Sequence, residues 1–299
     1  MRLSDFIKDS SSALESLYPG PKEAGNIVQI LCSHVLGTKS YTYIVEPEYE
    51  ISPSSQAALS AAMKRLLDGE PIQYVTGKAT FCDLEFRVSP AVLIPRPETE
   101  ALVREAVKIA GRIRRLRIPY GKNAEPVRVL DLCTGSGCIA WAVALMVPGV
   151  KVTGVDISSE ALEVARNQDF KAALKNSGAV APVFTRADIL DEVSLTGEFD
   201  LILSNPPYIM EKEKPQMHRN VLDFEPETAL FVPDGDPLLF YRAIERWSRT
   251  LLAPGGMGLT EINEALGPET KAVFASSGFS EVSLVKDFYD KNRFVFYKK

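Results

Sequence analysis

The sequence contains very little histidine. Its 299 residues include only two, His34 and His218. Two imidazoles exclude a three-histidine metal site, and they leave few options for a serine or cysteine nucleophile that needs a neighbouring histidine as its base. We therefore expect a reaction that does not depend on a histidine base.

Cysteine is also sparse, and its spacing is uninformative. The chain has four cysteines, and none forms a CxxC pair: Cys32, Cys82, Cys133 and Cys138. This pattern excludes a disulfide-stapled scaffold and argues against a zinc site, so we predict no bound metal. A reducing compartment, and thus a cytoplasmic location, is the simplest expectation.

Long apolar runs and an excess of positive charge are absent too. The longest apolar stretch, residues 139–147, is about half of a bilayer span and ends at Pro148. Residues 1–12 mix acids with bases and lack the apolar core of a signal peptide, so we expect neither a leader nor membrane attachment. With 34 Lys and Arg against 39 Asp and Glu, the net charge of −5 argues against nucleic acid as the main ligand.

The composition is that of a globular chain, and its patterning predicts two domains. Apolar residues recur at helical steps through residues 14–35 and 56–67, which predicts a small helical domain over residues 1–72. Alternation over residues 80–88 predicts a hairpin within a linker of residues 73–96. A helix is expected to open at Pro97, the start of a catalytic domain over residues 97–299.

From Val127 onward, short apolar runs alternate with amphipathic helical segments. Helices are predicted over residues 159–174 and 237–252, and strands over residues 127–132, 151–155, 183–186, 200–203, 256–261, 281–285 and 293–297. Such alternation predicts an α/β fold with a mostly parallel, doubly wound sheet. The basic stretch 111–126 is interpreted as a solvated linker, with a docking patch for an acidic or RNA-containing partner as the alternative.

The first two candidate site features follow successive predicted strands. The strand at residues 128–132 runs into a turn in which Gly135 and Gly137 allow the backbone to approach a ligand. The next strand ends at Asp156, whose carboxylate could accept both ribose hydroxyls of an adenosine-type cofactor or could cap the following helix. These features leave NAD and S-adenosylmethionine both open.

The third feature is Asn205-Pro206-Pro207-Tyr208, which follows a buried-strand pattern at residues 199–203. The prolines hold the backbone extended and remove N–H donors. The Asn205 side-chain oxygen and the Pro206 carbonyl then form a row of acceptors for the two N–H bonds of a planar amide or aryl amine. Orienting that nitrogen towards an electrophile predicts methyl transfer by positioning and electrostatics, with the Tyr208 ring packed on the flat substrate group.

On these residues the chain is similar to the HemK/PrmC-type protein-glutamine methyltransferases. That family uses S-adenosylmethionine to methylate the glutamine side-chain amide in the Gly-Gly-Gln motif of peptide-chain release factors. The resemblance covers nearly the whole chain and rests on residues 65–77, 93–100, 131–137, 156, 205–208 and 224–230.

The resemblance implies a fold and a set of site residues. The expected fold is the class I methyltransferase fold, with an N-terminal helical bundle, a hairpin linker and a seven-stranded sheet whose last strand runs antiparallel. Asn205, Pro206 and Tyr208 would act in catalysis, and with Pro207 they would form the glutamine pocket. The cofactor would be held by Cys133, Thr134, Gly135, Ser136, Gly137, Asp156, Asp188, Ile189 and Asn205.

The sequence also departs from the family pattern. Cys133 stands where many relatives have glycine, Ile189 stands where some carry an aromatic residue, and residues 25–28 lack the usual start of the helical domain. The last departure concerns the domain thought to grip the release factor, so it affects partner identity more than chemistry.

Alternative functions share parts of this site. A glutamine methyltransferase of a large-subunit ribosomal protein would use the same pocket, but residues 95–98 (Pro-Arg-Pro-Glu) favour the release factor. An adenine methyltransferase should carry a basic groove, and a dinucleotide-dependent oxidoreductase gives no role to residues 205–208. We therefore expect a release factor as partner, no requirement for nucleic acid or membrane, and a monomer.

Overall fold

The computed structural model describes residues 1–20, 22–117, 125–287 and 290–299. These form two compact units. The first comprises Met1–Lys78 and Met217–Phe224, and the second comprises Ala79–Gln216 and Glu225–Lys299. The domain boundaries at residues 72 and 96 remain predictions.

The helices and strands follow one another along the chain. The α-helices are α1 (Leu3–Leu14), α2 (Glu23–Leu36), α3 (Thr42–Val45), α4 (Pro53–Leu67), α5 (Ile72–Thr76), α6 (Thr99–Arg117), α7 (Cys138–Met146), α8 (Ser159–Arg166), α9 (Lys171–Ser177), α10 (Arg219–Phe224), α11 (Glu227–Leu230), α12 (Leu239–Leu251) and α13 (Gly267–Ala275). The strands are β1 (Lys78–Phe81), β2 (Leu84–Arg87), β3 (Val127–Leu132), β4 (Val150–Asp156), β5 (Val183–Arg186), β6 (Phe199–Ser204), β7 (Ile209–Met210), β8 (Phe231–Val232), β9 (Leu252–Glu261), β10 (Glu281–Lys286) and β11 (Asn292–Lys298). Two short 3-10 helices cover Glu211–Gln216 and Glu264–Leu266.

The first unit buries one side of several amphipathic helices. Its core contains Phe6 and Leu14 of α1, Val28 of α2, and Leu59 and Leu66 of α4. Helix α4 begins where its sequence predicts, because the Ser52 hydroxyl accepts a hydrogen bond from the Ser55 N–H and Pro53 occupies the first turn. The helical character predicted for this region is confirmed, although Leu17 and Ile30, which share its apolar period, are exposed.

The predicted hairpin is present as the pair β1 and β2. Its two-residue turn consists of Cys82 and Asp83, which both have left-handed backbone angles, with φ of 51° and 58°. Two left-handed residues match the twist of the flanking strands, which explains how four-residue strands form a hairpin here.

The second unit is built on a seven-stranded sheet with the order β10-β11-β9-β6-β3-β4-β5. Strands β3, β4, β5, β6 and β9 are parallel, whereas β11 is antiparallel to both of its neighbours. This topology confirms the expected antiparallel last strand. Leu132 pairs with Val155 on one side and with Ser204 on the other, so the carboxyl ends of β3, β4 and β6 lie together.

Helices cover both faces of this sheet. Successive residues of β3 point to opposite faces, since Val129 belongs to one core cluster and Leu130 to the other. The Val129 cluster contains residues of α6 and α7, and the Leu130 cluster contains residues of α12 and α13. The predicted doubly wound arrangement is therefore confirmed.

Two predicted helices differ from those observed. The segment 159–174 is broken into α8 and α9. Gln168, in the break, is buried; its amide oxygen accepts from the Arg87 N–H at 2.8 Å, and its amide nitrogen donates to the carbonyls of Arg87 and Ser136. These tertiary bonds replace helix continuity. The helix expected at Pro97 begins at Thr99.

The interpretation of residues 111–126 as a linker is wrong for its first part. Residues 111–117 are the last turns of α6, and the Arg117 side chain donates to Asp200 at 3.0 Å. Residues 118–124 lie outside the described residues. No helix of the described ranges is both long enough and apolar enough to cross a bilayer.

Candidate active site

The glycine turn after β3 is held in a sharply bent conformation. Cys133, Gly135 and Gly137 all have left-handed backbone angles, with φ of 59°, 53° and 76°. The Thr134 N–H donates to the Val155 carbonyl at 2.9 Å, which ties the turn to the end of β4. Glycine adopts such angles without strain, whereas Cys133 does so at a steric cost.

The buried carboxylate of Asp131 holds this turn through a hydrogen bond with Thr134. The Thr134 hydroxyl donates to Asp131 Oδ2 at 2.6 Å, and Asp131 is fully buried. Burial raises the pKa of the Asp131 carboxyl to about 7, against the hydrogen bond from Thr134 that lowers it. Asp131 and Thr134 therefore fix the shape of the turn from the protein interior.

Asp156 connects the turn to the end of β4. Its Oδ2 accepts from the Gly135 N–H at 2.8 Å and its Oδ1 accepts from the Ser158 N–H at 3.0 Å. Desolvation raises its pKa, and these backbone bonds oppose that shift. A carboxylate has about four acceptor positions, so about two remain for a ligand. Helix α8 is capped by Ser158, whose hydroxyl accepts from the Ala161 N–H, so capping does not require Asp156.

A cavity of about 310 Å³ opens beside these groups. That volume is within the range of small-molecule and cofactor sites. Its walls are Ala91, Val92, Leu93, Cys133, Gly135, Asp156, Ile157, Ser158, Ala161, Ala187, Asp188, Ile189, Leu190, Asn205, Pro207, Pro226, Thr228, Ala229, Phe231 and Phe240.

The predicted site residues divide into two groups around this cavity. Those that line it are Cys133, Gly135, Asp156, Asp188, Ile189, Asn205 and Pro207. Thr134, Ser136, Gly137, Pro206 and Tyr208 are not among its lining residues. Thr134 and Ser136 are buried, and a Cβ on Gly137 would lie 3.0 Å from Ala165 and Phe184. These three residues shape the turn rather than the cavity wall.

Part of the cavity wall is apolar and adjoins backbone that an arginine holds. Ile157, Ala187, Ile189 and Leu190 contribute apolar surface there. Arg246 Nη2 lies within hydrogen-bond distance of three successive carbonyl oxygens, those of residues 189–191, at 2.7–2.9 Å. Sequence reasoning missed Arg246, because an arginine within an amphipathic helix has no distinguishing pattern.

Another part of the wall is held by an ion pair with a buried carboxylate. Glu225 is buried; its Oε2 accepts from the Ile94 N–H at 3.1 Å and its Oε1 accepts from Arg96 Nη2 at 2.6 Å. Residues 91–93 and Pro226, which adjoin these partners, both line the cavity. The ion pair therefore joins two separate segments of the wall.

Asn205 lies at the end of β6, where its side chain is held by a network. The Asn205 amide nitrogen donates to the Thr99 hydroxyl at 3.0 Å, and Thr99 donates to Glu261 Oε2 at 2.8 Å. The Tyr208 hydroxyl donates to Glu261 Oε1 at 3.1 Å. Sequence reasoning missed the roles of Thr99 and Glu261, although Glu261 ends the predicted strand 256–261 and Thr99 lies in the helix predicted to open at Pro97.

Glu261 has an unusual electrostatic environment. It is 1% exposed, and burial raises the pKa of its carboxyl to about 7. Thr99, Tyr208 and the Arg293 charge oppose that shift, while Glu98 adds to it. Burial and Glu261 together raise the pKa of Tyr208 well above its usual value, and Glu261 also contributes to the raised pKa of Tyr241.

The sheet order, the antiparallel β11, and the sharp turn with an acid at the next strand end together define a class I S-adenosylmethionine-dependent methyltransferase fold. A solved structure of the hMettl16 catalytic domain, in complex with the MAT2A 3′UTR hairpin 6, shares this fold. It is 12% identical, has a TM-score of 0.50, and the match covers 82% of each chain.

Sequence comparison identifies the family. Residues 5–77 match the PrmC N-terminal domain, and residues 120–227 match the methyltransferase small domain. The chain is 39% identical to a release factor glutamine methyltransferase of Bacteroides thetaiotaomicron, over 98% of this chain and 97% of that protein. It is 35% identical to one of Flavobacterium psychrophilum, over 99% and 98%. The chain therefore belongs to the release factor glutamine methyltransferase family.

Proposed function

We propose that this protein transfers a methyl group from S-adenosylmethionine to the side-chain amide nitrogen of the glutamine in the Gly-Gly-Gln motif of a peptide-chain release factor. The observation that carries the proposal is the hydrogen bonding of the Asn205 side chain. Its amide nitrogen is engaged by Thr99, and within the described residues its Oδ1 has no hydrogen bond. Asn205 thus offers an acceptor at the cavity that it lines.

The residues around the cavity fit the cofactor. Asp156 retains acceptor positions for two ribose hydroxyls, and the bent backbone from Cys133 to Gly137 allows close approach of a ligand. Asp188 and Ile189 would border the adenine. When bound, S-adenosylmethionine supplies a methyl group that is activated by its positively charged sulfur.

In the proposed reaction, Asn205 Oδ1 and the Pro206 carbonyl oxygen accept hydrogen bonds from the two N–H groups of the substrate amide. This orients the nitrogen, whose lone pair is otherwise delocalised into the carbonyl group. Bound S-adenosylmethionine would supply the methyl group and would leave as its neutral thioether product, while the substrate nitrogen would release one proton to water. Orientation and acceptor groups do this work, which explains why the chain needs no histidine base.

A direct test offers three substrates separately. The purified protein is incubated with methyl-labelled cofactor and a release factor, a large-subunit ribosomal protein or duplex DNA. We expect label on the release factor. Label confined to the ribosomal protein would favour the sister glutamine methyltransferase, and label on DNA would favour an adenine methyltransferase; either result would overturn the proposal.

Asn205→Ala tests the proposed amide contact. Because it removes an acceptor that orients the reacting nitrogen, turnover should fall by about 100-fold or more. The matched control is Asn176→Ala, on the exposed face of α9, which should retain wild-type turnover. Both variants should unfold at the wild-type temperature to within a few degrees. Wild-type turnover in Asn205→Ala would remove the proposed contact.

The partner and the setting are part of the same proposal. We propose that the protein acts in the cytoplasm as a monomer and needs neither nucleic acid nor a membrane. Methylation should therefore proceed with purified release factor after nuclease treatment, and the active species should elute as a monomer from a sizing column.

A further inference from the structure

Behind Asn205, side chains from separate elements form one hydrogen-bonded chain. Thr99 is the first residue of α6, Glu261 is the last residue of β9, and Asn205 follows β6. The two links, Asn205 to Thr99 at 3.0 Å and Thr99 to Glu261 at 2.8 Å, involve a Thr99 that is 2% exposed. Asn205 is thus connected to a carboxylate that it does not touch.

The Glu261 carboxylate determines which group donates and which accepts at each of these hydrogen bonds. An ionised Glu261 can only accept hydrogen bonds, so the Thr99 hydroxyl must donate its single hydrogen to Glu261. The Thr99 oxygen can then only accept from Asn205, which turns the amide nitrogen of Asn205 towards Thr99. With the nitrogen engaged there, the oxygen is the group left for the cavity. The orientation of an amide is determined by its network, and with Glu261 ionised this network has one consistent solution.

A contribution to stability does not explain why the Glu261 carboxylate is buried. A buried carboxylate carries a large desolvation cost unless a cation pairs with it. Among the ion pairs of the described residues Glu261 has no partner, since the nearby Arg293 pairs with Asp287 at 2.8 Å. Its hydrogen bonds come from Thr99 and Tyr208, which adjoin or belong to the proposed substrate pocket.

We propose that Thr99 and Glu261 are positioning residues, which hold the Asn205 amide with its oxygen towards the substrate nitrogen. This inference rests on the proposed function. The two residues touch neither substrate nor cofactor in this scheme, and they act through the orientation of Asn205. The Tyr208 hydroxyl donates to the second oxygen of the same carboxylate, so Glu261 bonds both to Tyr208 and to the residue that holds Asn205.

Thr99→Val is the decisive variant, because valine has nearly the shape of threonine and cannot hydrogen-bond. We expect kcat to fall between 10-fold and 100-fold with release factor as substrate, since loss of orientation affects the chemical step. KM for the release factor and Kd for the cofactor should stay within about threefold of wild type. Thr99→Ser, which keeps the hydroxyl, should restore kcat to within about threefold of wild type.

The matched control is Thr270→Val. Thr270 is likewise fully buried, on α13, and its hydroxyl has no partner among the described residues. It should retain wild-type kcat. If Thr99→Val does not fold, Glu261→Gln decides: an amide can donate as well as accept, so Thr99 is no longer compelled to donate, the direction of the hydrogen bonds is no longer fixed, and kcat should fall at least 10-fold.

Different results would overturn different claims. A folded Thr99→Val or Glu261→Gln with kcat within twofold of wild type would overturn the positioning role while leaving the methyltransferase activity intact. A parallel fall in Thr270→Val and Thr99→Val, with no recovery in Thr99→Ser, would also overturn it, as a packing effect. A wild-type protein that leaves the release factor unmodified would overturn the proposed function and, with it, this inference.

Discussion

Replacing Asp156 by alanine should weaken the binding of S-adenosylmethionine by about 100-fold or more. The side chain has two roles that the geometry separates. Its two oxygens accept from the backbone of Gly135 and Ser158, and their remaining acceptor positions would serve the two ribose hydroxyls. Alanine removes both sets of bonds at once.

The magnitude follows from the two ribose bonds. A hydrogen bond to a charged group contributes about 1.5–3 kcal/mol, so two contribute at least about 3 kcal/mol, which is roughly 100-fold in Kd. Because Asp156 is only half-buried, the lower end of this range applies. Asp156→Asn keeps one acceptor oxygen and should lose only about 10-fold.

Calorimetric titration of the purified variants with the cofactor gives Kd directly. The matched control is Asp169→Ala, an exposed acid whose contact is a 3.5 Å ion pair with Arg87, and it should bind like wild type. A Kd for Asp156→Ala within threefold of wild type, in a protein that still folds, would refute the ribose assignment.

Three further predictions concern the pocket and its support. Because the pKa of Glu261 is raised to about 7 and its ionised form sets the Asn205 network, kcat should rise with pH through about 7, and this rise should be absent in Glu261→Gln. Gly258→Ala should destabilise the fold by about 3 kcal/mol in urea titration, because its Cβ would lie 2.0 Å from the Tyr297 ring. Arg246→Ala releases three carbonyls of the apolar wall and should raise the cofactor Kd several-fold by calorimetry, with Arg246→Lys intermediate.

Each of these predictions has a contrary outcome. A wild-type kcat that is constant from pH 6 to 8 would contradict the titration of Glu261 in this range. An unchanged urea midpoint in Gly258→Ala would mean that the Tyr297 ring moves at little cost. Equal cofactor affinity in wild type and Arg246→Ala would show that the apolar wall keeps its shape without the arginine.

Much of the catalytic sheet could be predicted from the sequence, because its central strands β3 and β6 are buried on both faces. Each of the seven predicted strands is present, with ends that differ by at most a few residues. A strand that is covered on both faces is apolar at nearly every position, so its sequence alone indicates a buried strand. The register that brings Leu132, Val155 and Ser204 together then follows from the parallel order.

The break between α8 and α9 could not be predicted. Local periodicity favours one helix over residues 159–174, and the reason for its interruption lies in tertiary structure, where Gln168 bonds to the backbone of Arg87 and Ser136. Those partners are distant in sequence. The sequence of residues 159–174 contains no pattern that indicates these hydrogen bonds.

The site was partly predictable for a similar reason. Asp156 and Asn205 occupy strand ends, where topology alone places chemistry-bearing residues together. Thr99 and Glu261 support Asn205 from α6 and β9, and only the folded chain brings them into contact. Cys133 was recognised as a departure from the usual glycine, and its φ of 59° shows that the turn keeps the left-handed conformation nonetheless.

The most direct test of the proposed function is to locate the methyl group on the product. Release factor treated with the wild-type protein and S-adenosylmethionine is digested, and its peptides are sequenced by tandem mass spectrometry. The methyl group should lie on the side chain of the Gly-Gly-Gln glutamine, and a release factor in which that glutamine is changed should remain unmodified. A methyl group on another residue, or undiminished modification of the changed release factor, would contradict the proposed function.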